Sequence, residues 1–410
     1  MHAQRPPRPA YLVAFVLLGV SLSFVGPAMT HLRHQVGASL GQGGWIVAGQ
    51  SIGYIATSMA VAHRFDRGHG HRTMLQAMAL VVGAVLLIDR ADALWVVVAG
   101  FAIVGAAAAT TDVGGNTLLV WSEPPERAGT SLNLLHLCFG IGAIATPLLV
   151  SRSIDETDGL VPVAVAIAIG ATALGVLLAR SRQPEPRHVH EHHATVEPRV
   201  RARILVSVQV FFFVFAGAEA TMAVWVTTWA EDLDLGRIGS PAVLTAVFWV
   251  GFTAGRLAAV MATRRHAPLP VLVLACGAST AAAALLLGAG AAPAVAWVGT
   301  ALVGFALGPQ FATMFAVADG MIGLDGRTTS RIVAAAGLGS LAVPAATGWL
   351  LGRFGTDLLP TIVLIGAAGS TATALAVRAV GRGRRTATLG DRVPRDRRHA
   401  SPSHRDGALG

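Results

Sequence analysis

Apolar residues along this chain come in runs of about 18–25, the length that crosses a hydrocarbon core of about 30 Å. Twelve such runs are centred near residues 20, 53, 81, 107, 140, 170, 216, 250, 279, 305, 341 and 369. Short polar stretches separate them. Backbone groups find no water in lipid, so each run is expected to be a helix. The predicted class is therefore an all-α membrane protein with twelve transmembrane helices. The first run is too long for a cleaved signal. It leads into Pro27, His31, Arg33 and His34 rather than a small-residue cleavage site.

The longest polar interruption divides the chain. Residues 1–10 form a short basic lead and 11–181 hold spans 1 to 6. Residues 182–203 are a linker rich in Arg, His and Pro. Spans 7 to 12 occupy 204–380, and 381–410 form a basic tail expected to be disordered. The halves echo one another. Gly140, Gly142, Ala145 and Pro147 of span 5 recur as Gly337, Gly339, Ala342 and Pro344 of span 11, an offset of 197 residues. Gly49 and Gly53 recur as Gly251 and Gly255 at 202, and Gly105 recurs as Gly304 at 199. Offsets this close predict a duplicated six-helix unit and two pseudo-symmetric bundles, the major facilitator arrangement. Such a protein binds its solute between the halves near the midplane and exposes it to each side in turn.

Composition agrees: 53% of residues are hydrophobic and only 13% charged, against roughly a quarter charged in soluble domains. All 31 basic residues are arginine. With the N-terminus inside, 25 fall in inner loops and tails, five in outer loops and one, Arg256, within a span. That bias predicts both termini in the cytoplasm of a multi-pass cell-membrane protein. The net charge of +9 then reports topology and anionic lipid, not nucleic acid. Cys138 and Cys276 both lie in spans and give neither a disulfide framework nor a metal spacing. No catalytic triad or nucleotide loop occurs, so neither an enzyme nor a cofactor is expected. The linker histidines 188, 190, 192 and 193 could bind metal, but a polar linker explains them better, and no metal site is expected.

Polar groups inside the spans are the candidate chemistry, because each is costly in lipid. Asp112 and Asn116 share one face of span 4, and Asn133 and His136 share one face of span 5. The chain turns round between them, so both faces should sit at similar depth. Asp112 lies about 13 Å from the end of its helix at Trp121. Glu219 falls near the centre of span 7. Either acid could take up a proton or help hold Na⁺. His136 could hydrogen-bond a solute or relay a proton. Gln50, Gln310 and Trp225 are candidate solute contacts, the indole by stacking on a sugar. The loop Ala62 to Arg72 contains Asp66, Arg67 and Arg72, and is similar to the superfamily's cytoplasmic loop motif, with Ala62 in place of its leading glycine; that motif's ionic contacts stabilise a gate. Arg256, about eight residues from the cytoplasmic end of span 8 at Arg264, could snorkel or pair with a carboxylate, and is assigned to gating.

These motifs resemble the sodium-dependent glucose transporter branch of the major facilitator superfamily and the related fucose permeases. The resemblance rests on Gly26-Pro27, Leu32-Arg33-His34-Gln35, Asp112 with Asn116, and Leu135-His136 followed by Phe139 to Pro147. Gly217-Ala218-Glu219 with Trp225, Phe248-Trp249 and Gly255-Arg256-Leu257 also fit. It implies a monomeric carrier taking up a hexose or polyol by symport with Na⁺ or H⁺. Two departures are Ser23, where fucose permeases carry an aspartate, and Phe139, where they carry an asparagine. The alternative is a proton-coupled exporter of a drug or metabolite, but span 5 lacks the Gly-Pro pair that such antiporters often carry. A receptor without flux is the third reading.

Overall fold

The structure, a computed structural model, describes residues 8–185, 197–233, 241–289, 292–324 and 326–390. The linker histidines and the tail from 391 lie outside the described residues. Twelve passes are present when a bent pair counts as one span. Span 1 is two helices, Arg8–Ser23 and Val25–Gln35, meeting at 43°. Pro27 explains the bend: it has no N–H for the Ser23 carbonyl four residues back. Spans 2 to 6 are Leu40–Ala60, continued by the short helix Ala62–Asp66, then Gly70–Asp89, Leu94–Ser122, Pro125–Thr157 and Val161–Ala179. Spans 7 to 9 are Pro198–Asp232, Pro241–Thr263 and Pro268–Leu286. Span 10 is Pro293–Leu307 plus Gln310–Ile322, interrupted at Pro309 for the same reason as span 1. Span 11 is Gly326–Phe354, and span 12 is Leu359–Gly390. Span 12 thus runs ten residues past the expected boundary at 380.

Within the first half, span 2 packs on 4, 3 on 4 and 6, and 1 on 5. Within the second, span 8 packs on 10, 9 on 10 and 12, and 7 on 11. The duplicated glycines are where backbones touch. A Cβ at Gly142 would strike the Val16 carbonyl of span 1, and one at Gly339 would strike the Phe213 carbonyl of span 7. Both pairs are offset by 197 residues, so the repeat in sequence is a repeat in packing.

The halves meet where span 2 packs on 11, span 5 on 8 and span 1 on 7. At the end opposite the termini this contact is backbone on backbone. A Cβ at Gly44 would lie 2.7 Å from the Ala345 carbonyl, and one at Gly352 would lie 2.9 Å from the Gly41 nitrogen. Thr30 donates to Glu231 at 2.6 Å across the same seam. At mid-depth Ser51 donates to the Ser340 carbonyl at 3.4 Å, and Ile55 lies beside Gly337. Past that level Met59 is 80% exposed and Val333 41% exposed.

Candidate functional site

Close helix contacts bring the polar residues together. Span 4 presses on span 2 at Gly105, where a Cβ would run into the Gln50 carbonyl and lie 3.0 Å from the Tyr54 nitrogen. Two helical turns on, span 4 carries Asp112, and the Tyr54 hydroxyl donates to its carboxylate. Asn116 donates to the other carboxylate oxygen at 2.8 Å, and to the Asp112 carbonyl at 3.0 Å. Asp112 is therefore held by two side chains, one from each of two helices. His136 stands edge-on to Phe15 at 5.6 Å, and Phe15 in turn fills the space left by Gly115.

The second half contributes Glu219 and Arg256. Span 10 approaches span 8 at Gly304 and Gly308, the latter leaving a built Cβ only 3.1 Å from the Arg256 nitrogen. The Arg256 guanidinium carbon lies 4.6 Å from the centre of the Phe252 ring, a cation–π contact that partly offsets the loss of water. From there its charge reaches Glu219, Asp112 and His136. Among the described residues no ion pair within 4.0 Å ties Arg256 to either carboxylate, and Glu219 has no hydrogen-bond partner. Two acids, one on each half, thus share one guanidinium at mid-depth. Of the two settings the sequence allowed for Arg256, snorkelling or facing a carboxylate, the structure has it facing the carboxylates.

Other expectations also change. Trp225 is wholly buried, donates from its indole nitrogen to the Pro344 carbonyl at 2.9 Å, and is wedged against Gly43 and Gly348. With the seam closed, its ring is covered on all sides. Gln310 is also wholly buried, and its amide donates to Ser279 at 3.0 Å and to the Ala306 carbonyl at 3.0 Å. That bonding ties span 10 to span 9. Gln50 donates to the Ser21 carbonyl at 3.2 Å and ties span 2 to span 1. Asn133 is exposed, one turn from His136. Asp66, Arg67 and Arg72 form no ion pair among the described residues, and the two arginines line a cavity at the loop.

Tyr54 is the site residue the sequence reading missed. The available signal was that it is one of only two tyrosines and sits within an apolar run, one turn after Gln50. Trp249, noted in the sequence only within the Phe248-Trp249 motif, abuts Phe139 across the halves at 5.7 Å, and its buried indole nitrogen has no partner among the described residues.

Comparison with known proteins places this geometry. The sequence profile of the Major Facilitator Superfamily matches residues 11–344. A sodium-dependent glucose transporter 1 from Xenopus laevis is 22% identical over 384 residues, covering 87% of this chain and 78% of the relative. The Danio rerio protein of the same name is 25% identical over 384 residues, covering 84% of this chain and 64% of its own. This chain therefore spans under two thirds of that relative's length. Among solved structures, the transporter FucP in its outward conformation superposes with a TM-score of 0.63 at 17% identity, covering 91% of this chain and 98% of FucP. The nucleoside transporter NupG superposes with a TM-score of 0.65 at 13% identity, covering 92% of this chain and all of that one. With its profile match across both halves and twelve passes in two bundles, this multi-pass membrane chain belongs to the Major Facilitator Superfamily, a family of transporters and not of enzymes.

Proposed function

We propose that this transporter takes up a sugar or related polyol by symport with a cation, Na⁺ or H⁺, across the cell membrane, with both termini in the cytoplasm. The observation that carries the reading is the charge count at mid-depth. Asp112 and Glu219, when ionised, face one Arg256, so the cluster carries one uncompensated negative charge away from bulk water. An ionised carboxylate at that depth costs at least about 2.5 kcal/mol. A single bound cation removes the excess and lets the halves close over a neutral site. Without it, closure buries a net charge. Solute entry and cation entry are then favoured together, which is symport. The names of the glucose transporter relatives support the sugar and the sodium, and the arginine bias of the loops supports the orientation.

His136, Asn116 and Asn133 are the hydrogen-bonding groups we assign to the solute in this reading, with Trp249 presenting an unpartnered N–H from the second half. The test is Glu219→Gln in proteoliposomes, with labelled glucose and Na⁺ and proton gradients imposed separately. The glutamine keeps the shape and removes the excess charge. Concentrative uptake should be lost while downhill exchange persists. Full accumulation by the variant under either gradient would remove Glu219 from the mechanism.

A further inference from the structure

A second charged cavity lies far from the central cluster, at the bundle end that carries the termini. It has a volume of about 370 Å³ and is lined by His63, Arg64, Arg67, His69, Arg72 and Gln76. Gly68, at φ +78°, turns the chain sharply between the short helix Ala62–Asp66 and span 3. Arg64 of that helix, Arg67 of the turn and Arg72 of span 3 all line the cavity. Arg64 is fixed by a bond from its guanidinium to the Gln76 side-chain oxygen at 3.1 Å. The Asp66 carboxylate, in the middle of the loop, does not line the cavity. Among the described residues none of the three arginines pairs with an acid.

Three arginines lining one cavity without a carboxylate repel one another, and an anion relieves that repulsion. Guanidinium forks match phosphate oxygens two at a time, and imidazoles add donors. The cavity lies in the loop that joins spans 2 and 3, and polar headgroups begin where a hydrocarbon core of about 30 Å ends. We propose that this cavity is a binding site for a phosphate group, carried either by an anionic phospholipid or by a small soluble phosphate compound. The site is separate from the solute pathway and does not depend on which solute or ion is moved.

The experiment uses the full chain, purified and placed in nanodiscs of phosphatidylcholine with or without phosphatidylglycerol. Retained lipid is read by native mass spectrometry after mild release. In a second arm, lipid-depleted protein in neutral detergent is titrated with inorganic phosphate. The variants are R64Q/R67Q/R72Q together, R67Q alone as a milder change, and Arg353→Gln as a control on the opposite end. Selective retention of phosphatidylglycerol by the native chain and the control, reduced about tenfold in the triple variant, identifies a lipid site. Saturable phosphate binding in detergent, reduced to the same degree, identifies a soluble ligand. Should the triple variant aggregate, R67Q must still show weakened binding by the same readout. Equal retention of lipid and equal phosphate binding by native protein and folded variants would overturn the proposal.

Discussion

Gly44 gives the sharpest test of how the halves move. It lies on span 2 where that helix crosses span 11, at the end opposite the termini. A methyl group there would sit 2.7 Å from the Ala345 carbonyl oxygen and 3.4 Å from its Cα. Both neighbours are helix backbone, so no side chain can rotate away. The helices must part by several tenths of an ångström. Overpacking of this kind costs about 1–3 kcal/mol. The cost falls only on the conformation in which this seam is closed. A bias of that size moves the balance between two states by about 5–150-fold. In a Cys138→Ser, Cys276→Ser background with Ser340→Cys as reporter, a membrane-impermeant maleimide reaches residue 340 only when the seam opens. Gly44→Ala should raise the labelling rate from that side at least about fivefold and slow turnover, because the cycle must pass through the strained state. Gly83→Ala is the control, since nothing lies within 4 Å of its built Cβ. If Gly44→Ala labels and transports like the control, this seam does not open during transport, and the two-state argument fails.

Two further substitutions separate the site from its scaffold. Tyr54→Phe removes the hydroxyl donor from Asp112 while keeping the ring. A hydrogen bond to a charged group contributes about 1.5–3 kcal/mol, so the cation concentration for half-maximal uptake should change about tenfold or more. An unchanged cation titration would make Tyr54 a spectator. Trp225→Phe removes the bond to the Pro344 carbonyl and should cost about 1 kcal/mol, seen as a lower melting temperature. Competition by a panel of sugars should be unaltered, and a changed sugar preference would return Trp225 to the solute site.

The spans and their duplication were legible because lipid imposes a long apolar run on every crossing, and because close backbone contacts need glycine. Gly53 with Gly105 and Gly255 with Gly304 stand out in the sequence alone. The charged centre was legible for a related reason: Asp112, Glu219 and Arg256 are too costly in lipid to be there without a use. What could not be read was facing. These helices are apolar nearly all round, so periodicity does not say which side of Trp225, Gln310 or Gln50 meets a cavity and which meets a neighbour. Trp225 and Gln50 each donate to a backbone carbonyl of a neighbouring helix, and the Gln310 amide nitrogen donates to the Ser279 hydroxyl while its buried side-chain oxygen has no partner among the described residues. Which group Arg256 meets was left open, because distance from a helix end is a property of one helix, whereas the charges acting with it lie on three others. Tyr54 escaped because a single hydroxyl in an apolar run carries no pattern.

The two acids are not equivalent, and the difference bears on coupling. Asp112 moves with the first half, together with Tyr54 and Asn116, which bond its two oxygens. Its carboxylate keeps those donors whichever way the halves are tilted. Glu219 and Arg256 both ride on the second half, and Glu219 has no hydrogen-bond donor among the described residues. When the halves rock, the separation of Arg256 from Asp112 changes, while that of Arg256 from Glu219 does not. A conformational step that draws Arg256 toward Asp112 also draws the Asp112 charge toward Glu219, and that repulsion leaves Glu219 the least compensated group in the bundle. On the proposed mechanism the cation is therefore needed most at Glu219, and most at the moment of closure. It follows that Glu219→Gln should uncouple the cation from the solute, whereas loss of the Tyr54 donor should only shift the cation concentration required.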